Sequence, residues 1–135
     1  MTYTKKTALH DRITVDGVDV SNAFDTFGFT SDDSDVDVSG FSVSGSDETL
    51  SGTRSEGFTG EMFITSESDA LMWPLHYNRT IFQVSWQPDG LIDSSRRTYH
   101  ANCQLRTYDP SATRGQPYKT TCTFRVADSN GISYT

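Results

Sequence analysis

The sequence has few of the residue types and motifs that would immediately indicate a function. Of its 135 residues only 2 are cysteines and 4 are prolines, and 11 Lys and Arg stand against 18 Asp and Glu, a net charge of −7. Because phosphate binding requires clustered basic side chains, this excess of acidic residues argues against a dedicated nucleic-acid-binding protein. The length suits a single domain, residues 1–135, which can bury a core without disulfides or metal.

Long apolar runs are also missing. The first fifteen residues, MTYTKKTALHDRITV, lack the apolar centre of a secretory signal, and no stretch approaches the roughly 18 apolar residues of a membrane span. We therefore expect a protein made in a reducing cytoplasm, with no membrane partner. In that compartment Cys103 and Cys122 are expected to be buried free thiols rather than a disulfide.

Local motifs for chemistry are absent as well. There is neither a G-x-S-x-G elbow for a nucleophile nor a G-x-x-x-x-G-K-[ST] loop for phosphates. The three histidines, at positions 10, 76 and 100, do not have the spacing of a zinc site. We expect no enzyme activity, no cofactor and no metal, although missing motifs do not exclude an enzyme.

Residues 31–40 read SDDSDVDVSG, which raises the question of a calcium loop. With Asp33, Asp35 and Asp37 as ligands, the EF-hand pattern needs Gly at the sixth place and Glu at the twelfth, where this chain has Val and Ser. The valines and acids at 35–38 instead alternate, as in a half-buried strand. We interpret the stretch as an acidic strand. A β-bulge at Ser39-Gly40 is predicted to shift its apolar residues from even-numbered to odd-numbered positions.

The rest of the chain is typical of an all-β domain with one short helix. Gly, Ser, Thr and Asp are abundant, and turn dipeptides recur about every ten residues. Asp16-Gly17 predicts a tight first hairpin. The sequence 66–69, SESD, predicts a capping box that opens the helix, and Pro74 either ends this helix after about two turns or kinks it.

Two strands near 97–107 and 118–127 are predicted to pair as a regular hairpin. If opposite residues have numbers that sum to 225, every apolar residue falls on one face, and Cys103 lies opposite Cys122. The segment 45–56, GSDETLSGTRSE, has no period. Its length predicts a loop that either moves or touches something.

Several segments in order carry a resemblance. They are VDVSGF at 36–41, GTRSEGFTGEMF at 52–63, WPLHYNRT at 73–80 leading into FQVSWQPDG, and PSATRG at 110–115 before a strand ending VADSNG. Together they resemble the major tail (tail tube) proteins of long-tailed bacteriophages, especially the small ones from phages of actinobacteria. The likeness covers about 12–131, and no single segment is diagnostic.

The resemblance implies a non-enzymatic building block. Its implied fold is two packed antiparallel sheets, a β-sandwich or partly closed barrel, with one flanking helix. Hexameric rings would stack into a tube whose lumen conducts DNA during ejection, without specific DNA binding. The implied partners are further copies of the chain and the tail-end and tail-tip proteins, and the implied location is the virion tail, assembled in the host bacterial cytoplasm.

In that family a long loop and the terminal arms reach the next ring. The resemblance therefore implies that 45–56 is a stacking loop, with Leu50 in an apolar recess and Asp47, Glu48 and Arg54 in charged contacts around it. Residues 1–11 would be an N-terminal arm. We expect Leu50→Asp to harm stacking more than Arg54→Ala, because exposed charge contacts contribute little.

Acidic residues would also suit a lumen that conducts DNA, because basic walls would bind the strand and slow it. Six copies at −7 each give a ring of −42. Asp35 and Asp37 are the candidates for lumen-facing acids, although the sequence does not decide which face the segment takes.

Two alternatives stay open. One is a tube component of another injection or secretion machine. The other is a carbohydrate-binding β-sandwich module, because sugars stack on aromatic faces. Five aromatic residues suggest the second alternative, and core or subunit packing is the competing interpretation: Trp73, Tyr77, Trp86, Tyr99 and Tyr118.

Overall fold

The computed structural model describes residues 8–37, 49–90, 92, 95–128 and 130–135, and at 35–37 and 49–53 it describes the backbone. In chain order its elements are β1 (Arg12–Val15), β2 (Val18–Asp19), β3 (Phe24–Asp37), β4 (Thr49–Phe63), α1 (Ser66–Tyr77), β5 (Ile81–Gln87), β6 (Tyr99–Tyr108), β7 (Lys119–Val126) and β8 (Ser133–Tyr134). The prediction of an all-β domain with one short helix is confirmed. Among these residues, no helix is long and apolar enough to cross a membrane.

The described strands join in one antiparallel sheet rather than two. Their order is β2-β1-β5-β6-β7-β4-β3, and β8 pairs with β6. The sheet curls strongly, because the rings of Phe29 on β3 and Tyr99 on β6 have centroids only 4.6 Å apart although β7 and β4 lie between these strands. The partly closed barrel among our expectations describes this shape, in which one sheet encloses a core.

The core is the face on which the apolar residues of every central strand alternate. Phe58 and Met62 on β4, Val84 on β5 and Phe124 on β7 have no exposed surface. α1 packs beside β6 and buries Met72 completely. Each such side chain contributes about 1.5–3 kcal/mol through burial, so this face holds the sheet curled and the helix in place.

The first hairpin is confirmed in detail. Val15 pairs with Val18, and the two residues between them, Asp16 and Gly17, have φ angles of 52° and 79°. Positive φ at both positions is the geometry of a type I′ turn, whose twist matches that of the flanking strands.

The helix begins one residue earlier than the capping box at 66–69 predicts. Thr65 is the N-cap, its hydroxyl accepts from the Ser68 backbone N–H at 3.2 Å, and the Ser68 hydroxyl accepts from the Thr65 N–H at 2.8 Å. The helix also continues through Pro74 to Tyr77, the longer of the two predicted alternatives. His76 supports this last turn, since its Nδ1 lies 3.0 Å from the Leu105 carbonyl oxygen, a contact that places the proton on Nδ1.

The predicted register between β6 and β7 is wrong, by four residues as far as Leu105 and by one more beyond the bulge that follows it. Cys103 pairs with Val126, and Cys122 pairs with Tyr108, with a register shift between Leu105 and Thr107. A slip by an even number keeps every side chain on its face, so the apolar pattern selects the face without selecting the register. The prediction that both cysteines lie on adjacent strands of the buried face is confirmed.

We expect both thiols to resist labelling in the folded protein. Burial raises the pKa of Cys103 and of Cys122 to about 12, which lowers the thiolate fraction at pH 8 by roughly 1,000-fold relative to an ordinary thiol. Reaction with a thiol reagent, followed by mass spectrometry, should show no modification within minutes in the native state. After unfolding without a reductant, both cysteines should react at once, and a bridge surviving in the unfolded chain would contradict the free-thiol prediction.

Candidate functional site

Most of the segment predicted as a loop at 45–56 is strand, which corrects that prediction. β4 begins at Thr49, and 49–56 pair with β3, from Thr49 opposite Asp37 to Glu56 opposite Ser31. Residues 45–48 lie outside the described residues, as does the bulge predicted at Ser39-Gly40. The sequence showed no apolar period here because the side chains described at 31–34, 54 and 55 are exposed, and Glu56, the buried side chain described on this ribbon, is charged. Backbone pairing alone defines these strands.

We call 31–37 of β3 together with 49–56 of β4 the arm. The last pair between β4 and β7 is Gly57 opposite Arg125. Beyond Gly57, the described part of β4 pairs with β3 and with no other strand. At about 3.3 Å per residue, the arm continues past this point by about 26 Å. A two-stranded ribbon is at best marginally stable by itself in water, so contact with a neighbouring element would stabilise the arm.

The arm carries charges on its described exposed surface. The Arg54 Nε donates to Asp33 Oδ1 at 2.7 Å, across the pair that these residues form in the ribbon, and this contact raises the pKa of Arg54. Glu56 Oε1 lies 3.7 Å from the same Nε. Within one chain Arg54 therefore pairs with its own arm, and its predicted stacking contact stays a prediction.

The other predicted site residues fall on or beside the arm. Asp35, Asp37 and Leu50 lie in its strands, and their side chains are outside the description. Asp47 and Glu48 lie outside the described residues altogether. The proposed lumen-facing and stacking roles of all five therefore stay predictions.

Glu56 fixes the base of the arm. Its side chain is almost fully buried, and Oε2 accepts from the Ile132 backbone N–H at 2.7 Å. An added Cβ at Gly131, whose φ is 69°, would meet this carboxylate at 3.0 Å. The C-terminal segment that leads into β8 is therefore held against the point where the arm leaves the sheet.

The aromatic residues that suggested a sugar site divide into two groups. Trp86 and Tyr99 stack at 5.7 Å between ring centroids inside a cluster that includes Phe27 and Phe29. This cluster fills the space between β3 and the β5–β6 pair, which is the packing role we weighed against carbohydrate binding. Trp73, Tyr77 and Tyr118 are exposed.

Trp73 and Tyr77 line a cleft that sequence reasoning missed. It holds about 630 Å³ between the second half of α1 and 104–106 of β6, with Arg79 at one side. Arg79 and Arg106 are exposed and, within the described chain, neither has an ion-pair partner. The cleft joins segments that are more than twenty residues apart, so no local motif could have revealed it.

The three histidines have different surroundings. His10 is exposed, His76 binds the Leu105 carbonyl, and His100 Nε2 lies 3.3 Å from the Thr135 hydroxyl. Asp33, which we tested as a calcium ligand, sits in β3 opposite Arg54. In the part of the chain that the structure describes, no group of three His, Cys, Asp or Glu side chains could hold a metal ion.

Comparison with solved structures identifies the fold. The chain is similar to one in the virion of a native gene transfer agent particle, with a TM-score of 0.75 and 14% identity over 97% of this chain and 99% of that one. It is similar to the tail tube of SPP1, with a TM-score of 0.70 and 9% identity over 93% and 76%. It is also similar to a chain in the sheath–tube complex of the extracellular contractile injection system PVC in its extended state. The TM-score is 0.66 and the identity is 10%, over 98% of this chain and 92% of that one.

No protein-family model and no curated protein matches the sequence. The likeness is therefore one of fold, and it extends over nearly the whole chain. The fold is the tail tube type that the resemblance of the short sequence segments implied.

Proposed function

We propose that this chain is the structural subunit of a bacteriophage tail tube, forming hexameric rings that stack around a lumen for DNA. The observation that carries the proposal is the similarity of fold, over 93–98% of this chain, to chains of a gene transfer agent virion, of the SPP1 tail tube and of a sheath–tube complex. The proposed location is the virion tail after assembly in the host cytoplasm, and the proposed partners are copies of itself and the tail-end and tail-tip proteins. The subunit is proposed to have no catalytic activity.

The arm supports the proposal physically. A ribbon about 26 Å long without a second layer is a poor element for a monomer but a suitable one for a subunit that reaches a neighbour. The segment 45–56, now a strand from 49 onward, keeps its proposed role in stacking, with Leu50 as the apolar contact and Asp47, Glu48 and Arg54 around it.

The acidic balance fits a conduit for DNA. At −7 per copy, a ring of six repels phosphates over the distance of a Debye length, about 8 Å at physiological salt. Asp35 and Asp37 remain the candidates for the lumen wall. This charge lets DNA pass through without specific binding.

We expect the purified protein to polymerise into hollow tubes as its concentration rises. Electron microscopy from micromolar to millimolar concentration should show stacked rings, and class averages viewed down the axis should show sixfold symmetry. Sedimentation measurements on the same samples should show loss of the monomer above a critical concentration. A monomer that persists at millimolar concentration, with native circular dichroism, would overturn the proposal.

One other function has a specific observation in its favour. The match to the contractile injection system covers 98% of this chain, so the tube of such a machine is the second candidate. The two differ in what surrounds the tube, because a contractile machine has a sheath and the tail of a non-contractile phage has none. Incubating preformed tubes with lysate of the source virus particles, and identifying what coats them, separates the two.

A further inference from the structure

The cleft between α1 and β6 has the composition of a docking site. Trp73 is 48% exposed and Tyr77 is 72% exposed, and their rings lie side by side with centroids 5.6 Å apart. Trp, Tyr and Arg are the residue types that carry most of the binding energy in protein interfaces. A cleft of about 630 Å³ bordered by all three can accept the side chains of a partner segment.

The charge of this cleft is opposite to that of the molecule. Arg79 and Arg106 line it together with His76, and no described acidic residue does. In a chain of net charge −7, two arginines left without an ion-pair partner among the described residues form a local positive site. Such a site selects an acidic partner and speeds its approach.

The arm is the acidic segment that the same chain offers. Its first strand reads SDDSDVD at 31–37, four aspartates in seven residues. The described side chains of this strand, at 31–34, are exposed. The arm therefore has the charge, the exposure and the length to enter a cleft on another molecule.

The strand register places the base of the arm beside the cleft and the outer part of the arm away from it. Gly57, Arg125 and Gln104 form one level across β4, β7 and β6. From Gly57 the arm runs to one side of this level. On the other side, Tyr108 and Gly60 both pair with Cys122.

The cleft begins at this level with Gln104 and extends to that second side. Arg106 comes before Tyr108 on β6, and the Trp73 ring lies 6.3 Å from the Tyr108 ring. The outer part of the arm therefore runs away from the cleft of its own chain, whereas a copy shifted along the strand axis can place its outer arm in that cleft. Such a head-to-tail contact does not close on itself and generates an open stack.

We propose that the cleft formed by Trp73, Tyr77, Arg79 and Arg106 receives the acidic arm of a second copy of this chain. The inference rests on the proposed function, because it is the stacked tube that supplies the second copy in the required position. In this contact Asp32 and Asp33 of the arm meet the two arginines of the cleft. DNA is the rival occupant, but a lumen that conducts DNA gains nothing from a cleft that binds phosphate.

Charge reversal on each side tests the contact. Arg79→Glu/Arg106→Glu should fold and should raise the critical concentration for tube formation at least tenfold, and so should Asp32→Arg/Asp33→Arg. An equal mixture of the two variants should polymerise at the wild-type concentration, because each reversed arm then finds a reversed cleft. The control Arg12→Glu/Arg114→Glu makes the same change in net charge away from the cleft and should polymerise as the wild type does.

The outcomes separate this inference from the proposed function. If the wild type makes tubes and Arg79→Glu/Arg106→Glu makes them equally well, the inference is overturned and the proposed function is unaffected. The same holds if the equal mixture of the two charge-reversed variants does not regain tube formation. Wild-type protein that makes no tubes would overturn the function itself. Fluorescence anisotropy with a duplex oligonucleotide tests DNA as the occupant of the cleft. If the wild type binds the duplex, and Arg79→Glu/Arg106→Glu loses this binding but still makes tubes, the cleft is a DNA site.

Discussion

Gly60→Ala is expected to lower the free energy of unfolding by about 3 kcal/mol, the upper part of the range for overpacked cores. An added Cβ at this position would lie 2.6 Å from the Thr26 carbonyl oxygen and 2.8 Å from the Phe24 ring. The carbonyl belongs to β3, which pairs with β4 at this point, so neither strand can move aside without losing the ladder between them. Thermal unfolding followed by circular dichroism should show the midpoint lowered by roughly 10 °C.

Gly28→Ala is the matched control for this prediction. Gly28 pairs with Thr59 in the same two strands, its φ is not positive, and a Cβ there would meet no atom within 4 Å. This change should leave stability within about 1 kcal/mol of the wild type, because it only restricts the unfolded chain. Equal midpoints for the two variants would mean that β3 is not packed on Gly60 as described.

Local rules predicted the elements whose structure is decided locally. The Asp16-Gly17 turn was predictable because positive φ at both of its positions depends on those two residues alone. The helix was predictable from its cap, although Thr65 rather than Ser66 provides it. The buried face of β7 followed from alternation, because a period of two decides the face directly.

Features set by distant residues could not be predicted in the same way. The β6–β7 register depends on the bulge near Leu105, and the apolar alternation is satisfied equally by registers that differ by an even number. The strand at 49–56 buries no described apolar side chain, so its polar sequence gave no signal. The cleft that contains Arg79 and Arg106 exists only once α1 packs on β6.

The candidate site was therefore half predictable. Sequence reasoning singled out the stretch that forms the arm, because an acidic segment followed by a polar, aperiodic one has no apolar face to bury, and the role of this stretch in assembly stays a prediction. It gave the wrong conformation, because it treated missing periodicity as missing structure. A ribbon held by backbone pairs, with the Asp33–Arg54 contact across it, needs no apolar face.

Replacing the outer arm is expected to abolish tubes while leaving the domain folded. Asp33 and Arg54 are directly opposite each other, so an Asn-Gly pair can join them as a type I′ turn in place of 34–53. The variant keeps Glu56 and its bond to Ile132, and it keeps every fully buried residue of the core. Its midpoint of unfolding should therefore stay within a few degrees of the wild type, and both thiols should stay protected in the native state.

Assembly should respond differently, because the removed residues are the ones that would bridge to a neighbour. We expect the shortened protein to remain without tubes in electron microscopy at concentrations a hundredfold above the wild-type threshold, which corresponds to a loss of about 2.7 kcal/mol per contact. Reversal of charge at the cleft weakens only the charged part of the contact, whereas this change removes 34–37 and 49–53, most of the docking segment, so its effect should be the larger of the two. Tubes of normal length from the shortened protein would show that the arm is not the stacking element, and residues 1–11 would then be the segment to truncate next.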